Sequence, residues 1–293
     1  MMVLHAISMA ALYIITKKIT TDLHSAHIAF LYKLMILICI FPWCLHGGLR
    51  KNLKTKRISM HVARGTFSLL GTLCFFTAME ELSPSNVAAI GYLDHIVLIL
   101  IGVTYFKEKL TNSKIICILT SFAGAFLIIK PWIDDINYHY IYLFLAVIFW
   151  SINSTIIKIL GSTEKTKAQL FYVMFFSALF SFPLALQEWR PLDWVHFKYL
   201  VGLAVCYLIH SIAFFKAFKY ADVSMVLPFD YTRLVFTGIF GMLFLDQIPD
   251  NYALAGYALI CLGGIYAILG ETKKTNVSSD AKKFELESKY DQA

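Results

Sequence analysis

The chain has 293 residues, 58% hydrophobic and only 15% charged, with a formal net charge of +7 and a mean hydropathy of +0.66. Soluble domains carry about 25% charged residues, so these figures exclude a soluble core and point to an all-α polytopic membrane protein. The basic residues sit in short connections and a tail rather than on one face, which argues against nucleic-acid binding.

Ten apolar segments follow in chain order, at 1–16, 27–46, 59–79, 85–105, 114–130, 139–160, 168–187, 197–216, 222–245 and 252–270. Each is about long enough to cross a bilayer as a helix, the form that bonds every backbone group internally. The first is short for a span, so either that helix is abbreviated or the chain begins upstream of Met1. No basic stretch or cleavage site marks it as a removable signal. Six cysteines all fall in apolar segments without CxxC spacing, and they read as small buried apolar side chains rather than metal ligands. After residue 270 a polar stretch, ETKKTNVSSDAKKFELESKYDQA, is expected to be a disordered tail.

Lys and Arg give the expected orientation. With the N-terminus cytoplasmic, seventeen fall in inner connections and the tail, among them Arg50, Lys51, Lys54, Lys107, Lys165 and Lys273. Four fall outside: Lys17, Lys18, Lys130 and Arg190. Both termini are therefore expected on the cytoplasmic side of a bacterial inner membrane.

The chain repeats itself. Phe75–Ile129 lies on Phe214–Ile268 without a gap at an offset of 139 residues, since Phe75 meets Phe214. Ser85 meets Ser224, Tyr92 meets Tyr231, Gly102 meets Gly241, and Gly124 meets Gly263. Asp94 meets Arg233, an opposite charge at an equivalent position. Five spans per half is an odd number, so the second half must lie upside down relative to the first. The expected domains are residues 1–130, residues 138–270 and the tail 271–293. Such inverted repeats build alternating access around a central polar cavity.

The ninth span, SMVLPFDYTRLVFTGIFGMLFLDQIP, holds Asp230, Tyr231 and Arg233 just after Pro228. Each charge in a span costs about 2.5–3.5 kcal/mol on insertion scales. The proline removes a backbone donor and predicts a bend or break there. Asp230 and Arg233 are spaced to pair with each other, and that pairing is the plainer reading. In the fourth span Asp94 and His95 lie near the middle. Asp94 suits a cationic substrate or a coupling proton, or pairs structurally with Arg233 or Arg64. Adjacent helical residues point about 100° apart, so Asp94 and His95 are not expected to face one cavity equally. Tyr231 and Tyr92 offer rings for stacking or cation–π contact, against ordinary packing. Arg64, near the cytoplasmic end of the third span, and Lys33, near the outer third of the second, suit a substrate carboxylate or snorkel to the interface. Trp150 and Asn153 in the sixth span and His210 in the eighth complete the candidate lining, though helix–helix hydrogen bonding explains Asn153 and His210 as well.

Ten helices in a 5+5 inverted repeat resemble the EamA-type branch of the drug/metabolite transporter superfamily. The residues that carry the likeness are Arg64-Gly65, FFTAMEELSPSNVAAI at 75–90, FKEKL at 106–110, LPFDYTRLVFTGIFGMLFLDQIPD at 227–250 and LAGYALICLGGIYAIL at 254–269. Two places depart from it: Asp94-His95 stand where the family usually has proline, and Asp246-Gln247 where it usually has glutamate. Within the branch, the length and PFDYTRLVF resemble the S-adenosylmethionine uptake transporters of obligate intracellular bacteria. The resemblance implies import of S-adenosylmethionine, with exchange for S-adenosylhomocysteine, by a monomer or weak homodimer that uses no cofactor or metal. The alternative is outward transport of amino acids or related metabolites. No GxxxxGK[ST] loop is present to hydrolyse ATP. An intramembrane aspartyl protease using Asp94 and Asp230 is disfavoured, because GYLD and PFDY are not its motifs. A membrane scaffold gives no reason to hold these charges in lipid.

Overall fold

The computed structural model describes residues 1–290 except Gly47, Phe106, Glu108, Lys109, residues 131–136, Ser162, Glu188 and residues 221–226. It describes only the backbone of Phe214, Phe215, residues 217–220, Leu227, Pro228 and residues 271–290. The matches made through Ser224 and Phe214, and the side chain of Pro228, lie outside the described part.

Twelve α-helices are described. They are α1 Met2–Ile19, α2 Ser25–Leu45, α3 Leu49–Asn52, α4 Ile58–Glu81, α5 Pro84–Gly91 and α6 Asp94–Thr104. The rest are α7 Asn112–Ile129, α8 His139–Gly161, α9 Thr166–Gln187, α10 Trp194–Tyr220, α11 Thr232–Leu245 and α12 Asn251–Tyr290, with a 3-10 turn Leu227–Tyr231 before α11. Among the described residues, nine stretches are long and apolar enough to span a bilayer, with α5 and α6 counted as one. The tenth, α11, is 14 residues long and reaches span length only with its 3-10 turn.

Local chemistry sets the ends. Ser83 accepts from Asn86 N (3.3 Å) and Pro84 opens α5, the arrangement that satisfies an orphan helix donor. Thr111 does the same for α7 through Lys114 N. Lys107 and Asp246 occupy equivalent positions in the two repeats, and both adopt the left-handed conformation, at φ 57° and 54°. The repeat thus extends to its turns.

Most of the extensive helix contacts cross between the halves: α7 with α12, α4 with α8, α2 with α9, α1 with α10 and α1 with α11. Exchanging the halves maps each of these contacts onto a contact that the structure also makes. α4–α8 becomes α10–α1, α1–α11 becomes α8 with α5 and α6, and α2–α9 and α7–α12 map onto themselves. A pseudo-two-fold relation between two inverted halves has that consequence. At the α7–α12 crossing, a Cβ on Gly124 would lie 2.7 Å from the Gly256 carbonyl oxygen, and one on Gly256 2.6 Å from that of Gly124. The backbones come this close because lipid supplies no hydrophobic drive and small residues permit tight packing.

One expectation changes. Cys44 and Cys117 are buried, but Cys39 is exposed. In a bilayer the outer surface meets acyl tails, so an exposed thiol is not penalised there. Leu119, Phe122 and Phe126 of α7 are exposed in the same way.

Candidate functional site

Both halves depart from regular α-helix around one repeat position, that of Tyr92 and Tyr231. In the first half α5 stops at Gly91 and α6 starts at Asp94. The intervening amides bond three residues back, Tyr92 N to Ala89 O at 3.1 Å and Leu93 N to Ile90 O at 2.9 Å. In the second half the 3-10 turn Leu227–Tyr231 occupies the positions equivalent to 88–92. The sequence predicts the second break from Pro228; the first has no proline and is visible only in the structure. Mid-helix 3-10 stretches mark hinges and strained, functional segments.

The breaks meet. Tyr92 and Tyr231, equivalent residues, contact each other at 4.6 Å between ring centroids, tilted by 32°. The Tyr92 hydroxyl donates to the Asp230 carbonyl at 2.8 Å and accepts from Arg233 Nε at 3.2 Å. Arg233 Cζ lies 4.5 Å from the Tyr92 ring centroid. Tyr92 is therefore engaged by Arg233 and Tyr231 together and is 1% exposed. In this conformation its ring packs within the protein. Tyr231 presses its hydroxyl on Gly264, where a Cβ would overlap it.

Asp230 and Arg233 pair as their spacing suggests, Oδ2 to Nη2 at 3.6 Å. Asp230 Oδ1 also accepts from His5 Nε2 of α1 at 2.9 Å. His5 Nδ1 in turn lies 2.9 Å from His210 Nδ1 of α10. His5 Nδ1 also lies 3.3 Å from the His210 carbonyl oxygen, so the His5 ring bridges Asp230 and His210. His5 is a functional candidate that the sequence reading passed over. Its signal was the one used for the others, an ionisable side chain inside a span, but its partner is 225 residues away.

Asp94 pairs with neither Arg233 nor Arg64; its partner is its neighbour, with His95 Nδ1 2.7 Å from Asp94 Oδ1. The two side chains thus meet each other at the start of α6. His95 turns back so that Nδ1 also lies 3.0 Å from the Tyr92 carbonyl, which accepts the His95 backbone amide as well, at 3.1 Å. The two side chains keep 37% and 29% of their surface accessible, against 15% for Asp230 and 13% for Arg233. His95 also stacks on Tyr231 at 6.1 Å.

The remaining candidates lie elsewhere. Arg64 donates through Nη1 to the Gln169 carbonyl (3.0 Å) and to Gln169 Oε1 (3.2 Å) on α9. Lys33, close to the middle of α2, donates to Ser68 Oγ at 3.3 Å. They are 6% and 4% exposed, so neither snorkels: α4 turns both into its contacts with α2 and α9. Trp150 packs 5.2 Å from Phe75 and against Gly71, where a Cβ would meet Cδ1 at 2.5 Å. Asn153 Oδ1 is buried without a partner among the described residues.

Outside the spans, Lys130 pairs with Asp250, and its ammonium holds the Asp250 carboxyl below the usual carboxylate range. Both border a cavity of about 150 Å³ lined also by Ser85, Asn86, Gln247 and Tyr257.

Comparison with known proteins fits this architecture. The chain is 27% identical to a riboflavin transporter of Vibrio cholerae, over 86% of either chain. It is 24% identical to an S-adenosylmethionine uptake transporter of Rickettsia conorii, over 93% of this chain and 92% of that one. It is 22% identical to a pseudopaline exporter of Pseudomonas aeruginosa, over 93% of this chain and 95% of that one. A solved crystal structure superposes with a TM-score of 0.61 at 17% identity, over 91% of this chain and 96% of the other, a likeness of fold. The profile of the EamA-like transporter family matches residues 1–130 and again residues 137–269. One copy falls on each half of the structure, and the chain belongs to that family of multi-pass membrane transporters.

Proposed function

We propose that the protein is a secondary transporter of the bacterial inner membrane that imports S-adenosylmethionine, with both termini cytoplasmic. Exchange for S-adenosylhomocysteine would drive the cycle, since no nucleotide-hydrolysing loop is present in the sequence. The carrying observation is the pair of stacked helix breaks. Asp94 and His95 form the accessible edge of a network that is otherwise buried and internally paired. A carboxylate beside aromatic rings suits a cargo with a positive centre and a flat ring system. The tandem family match supports a rocking motion of one half against the other, and the Rickettsia relatives support the cargo.

The residues proposed to act on the cargo are Asp94, His95 and Tyr231. Tyr92, Asp230, Arg233 and His210 set the breaks and their charge, and His5 joins them. The second reading is outward transport of an amino-acid-like metabolite, favoured by the similarity to the pseudopaline exporter. Labelled S-adenosylmethionine, offered to cells expressing the chain, should accumulate above vector controls and be displaced by S-adenosylhomocysteine. No accumulation, together with faster efflux of preloaded amino acids, would replace the first reading with the second.

A further inference from the structure

A second polar centre stands apart from the stacked breaks, and its charge is unbalanced. Lys33 and Arg64 are both more than nine-tenths buried. Among the described residues, neither has a carboxylate within 4.0 Å. A lone charge inside a span is costly, and such charges otherwise pair with one another or with backbone carbonyls. Here the two charges share one sign.

The hydrogen-bonding inventory points the same way. Lys33 offers three N–H donors and spends one on Ser68. Arg64 offers five and sends Nη1 to Gln169, while its Nε is buried without a partner. The Ser68 hydroxyl accepts from Lys33 and keeps its own proton to donate. Among the described residues, the two cations thus carry more N–H donors than the bonds they make. Arg64 and Ser68 are one helical turn apart on α4, about 5–6 Å between Cβ atoms at that spacing, so Lys33 bonds α4 one turn from Arg64 and both cations belong to one neighbourhood. Tyr32 and Tyr207 close the neighbourhood edge to face at 5.8 Å, and Tyr207 reaches the first centre through His210 at 5.5 Å.

We infer that Lys33, Arg64 and Ser68 form an anion subsite that takes one carboxylate or phosphate group, and that this group is the carboxylate of the transported molecule. The inference rests on the transporter reading and narrows it: the cargo must carry an anionic group as well as the positive centre received at Asp94. S-adenosylmethionine meets that requirement. Riboflavin, which has no carboxylate, does not. The subsite is closed in this conformation, so the anion enters when the α2–α4–α9 contacts open.

The test uses the full chain in proteoliposomes and purified in detergent. Transport and binding are measured for S-adenosylmethionine, decarboxylated S-adenosylmethionine and riboflavin. Thermal unfolding is followed with methionine, methioninamide and inorganic phosphate. In the wild type the decarboxylated analogue should bind on the order of 10–100-fold more weakly, the range for a charged hydrogen bond. Lys33→Met and Arg64→Gln should erase that difference, and Arg64→Lys should keep part of it. Equal binding of the two adenosyl compounds by the wild type overturns the subsite and leaves the cargo reading standing, and this arm needs no variant to fold. If neither adenosyl compound binds but methionine stabilises the protein and methioninamide does not, the subsite stands and the cargo reading falls. Stabilisation by inorganic phosphate alone assigns the site to a free anion and overturns the link to the cargo.

Discussion

The two helix breaks are built alike and charged differently. Tyr92 and Tyr231 hold the same place in the repeat and pack on each other. Around them, Gly91, Asp94 and His95 in the first half answer to Asp230, Arg233 and Leu234 in the second. In the second half the opposite charges satisfy each other and His5. In the first half the carboxylate has, among the described residues, a histidine as its ion-pair partner and stays more than a third accessible. The backbone is shared, while the charges differ: the second half is paired within itself and the first half keeps a more accessible carboxylate, the group proposed above to meet the cargo.

The largest expected effect breaks the second half. Arg233→Ala leaves Asp230 buried with His5 alone, and removing one partner of a buried pair costs about 3–5 kcal/mol. The double change Asp230→Ala with Arg233→Ala should be more stable than Arg233→Ala alone, read as thermal unfolding in detergent. A double variant that unfolds at the lower temperature would show that the pair is not a unit. Asp94→Asn addresses the first half. Insertion and stability should hold while transport is abolished or changes its substrate range; wild-type kinetics in that variant would mean that the carboxylate is unused.

Two smaller effects sharpen the contact between the breaks. Tyr92→Phe removes a donor to the Asp230 carbonyl and an acceptor for Arg233, a loss of about 1–3 kcal/mol for the buried groups left unpaired. Gly264→Ala forces Tyr231 off its seat and should slow transport more than it lowers unfolding temperature. The smallest effect lies at the rim. Asp250 has a lowered pKa in the folded protein. Its contribution is therefore present above the ordinary carboxylate value and is lost as pH falls through the lower folded value. The pair is solvent-exposed enough that Lys130→Gln should change acid stability only slightly, measured as the shift in the acid unfolding midpoint.

Span positions were legible because a bilayer demands long apolar helices and leaves little room for other patterns. The 139-residue offset exposed the repeat because equivalent positions keep the same small and aromatic residues. The i, i+3 spacing foretold the Asp230–Arg233 pair, since neighbouring turns of one helix bring such residues together. Contacts across the bundle were not legible in this way. His5 meeting Asp230, Asp94 turning to His95, and Lys33 and Arg64 being buried rather than snorkelling all depend on which helix faces pack.

The sequence by itself determined the number and place of the spans, the inverted relation of the halves and the residues too costly to lie in lipid without cause. Those follow from the solvent and from a periodicity carried along one chain. Only the tertiary structure decided which of the costly groups neutralise one another and which stand uncompensated. Partners in this fold come from spans remote in sequence, and the crossing of helices, not their spacing, sets the distance between charges.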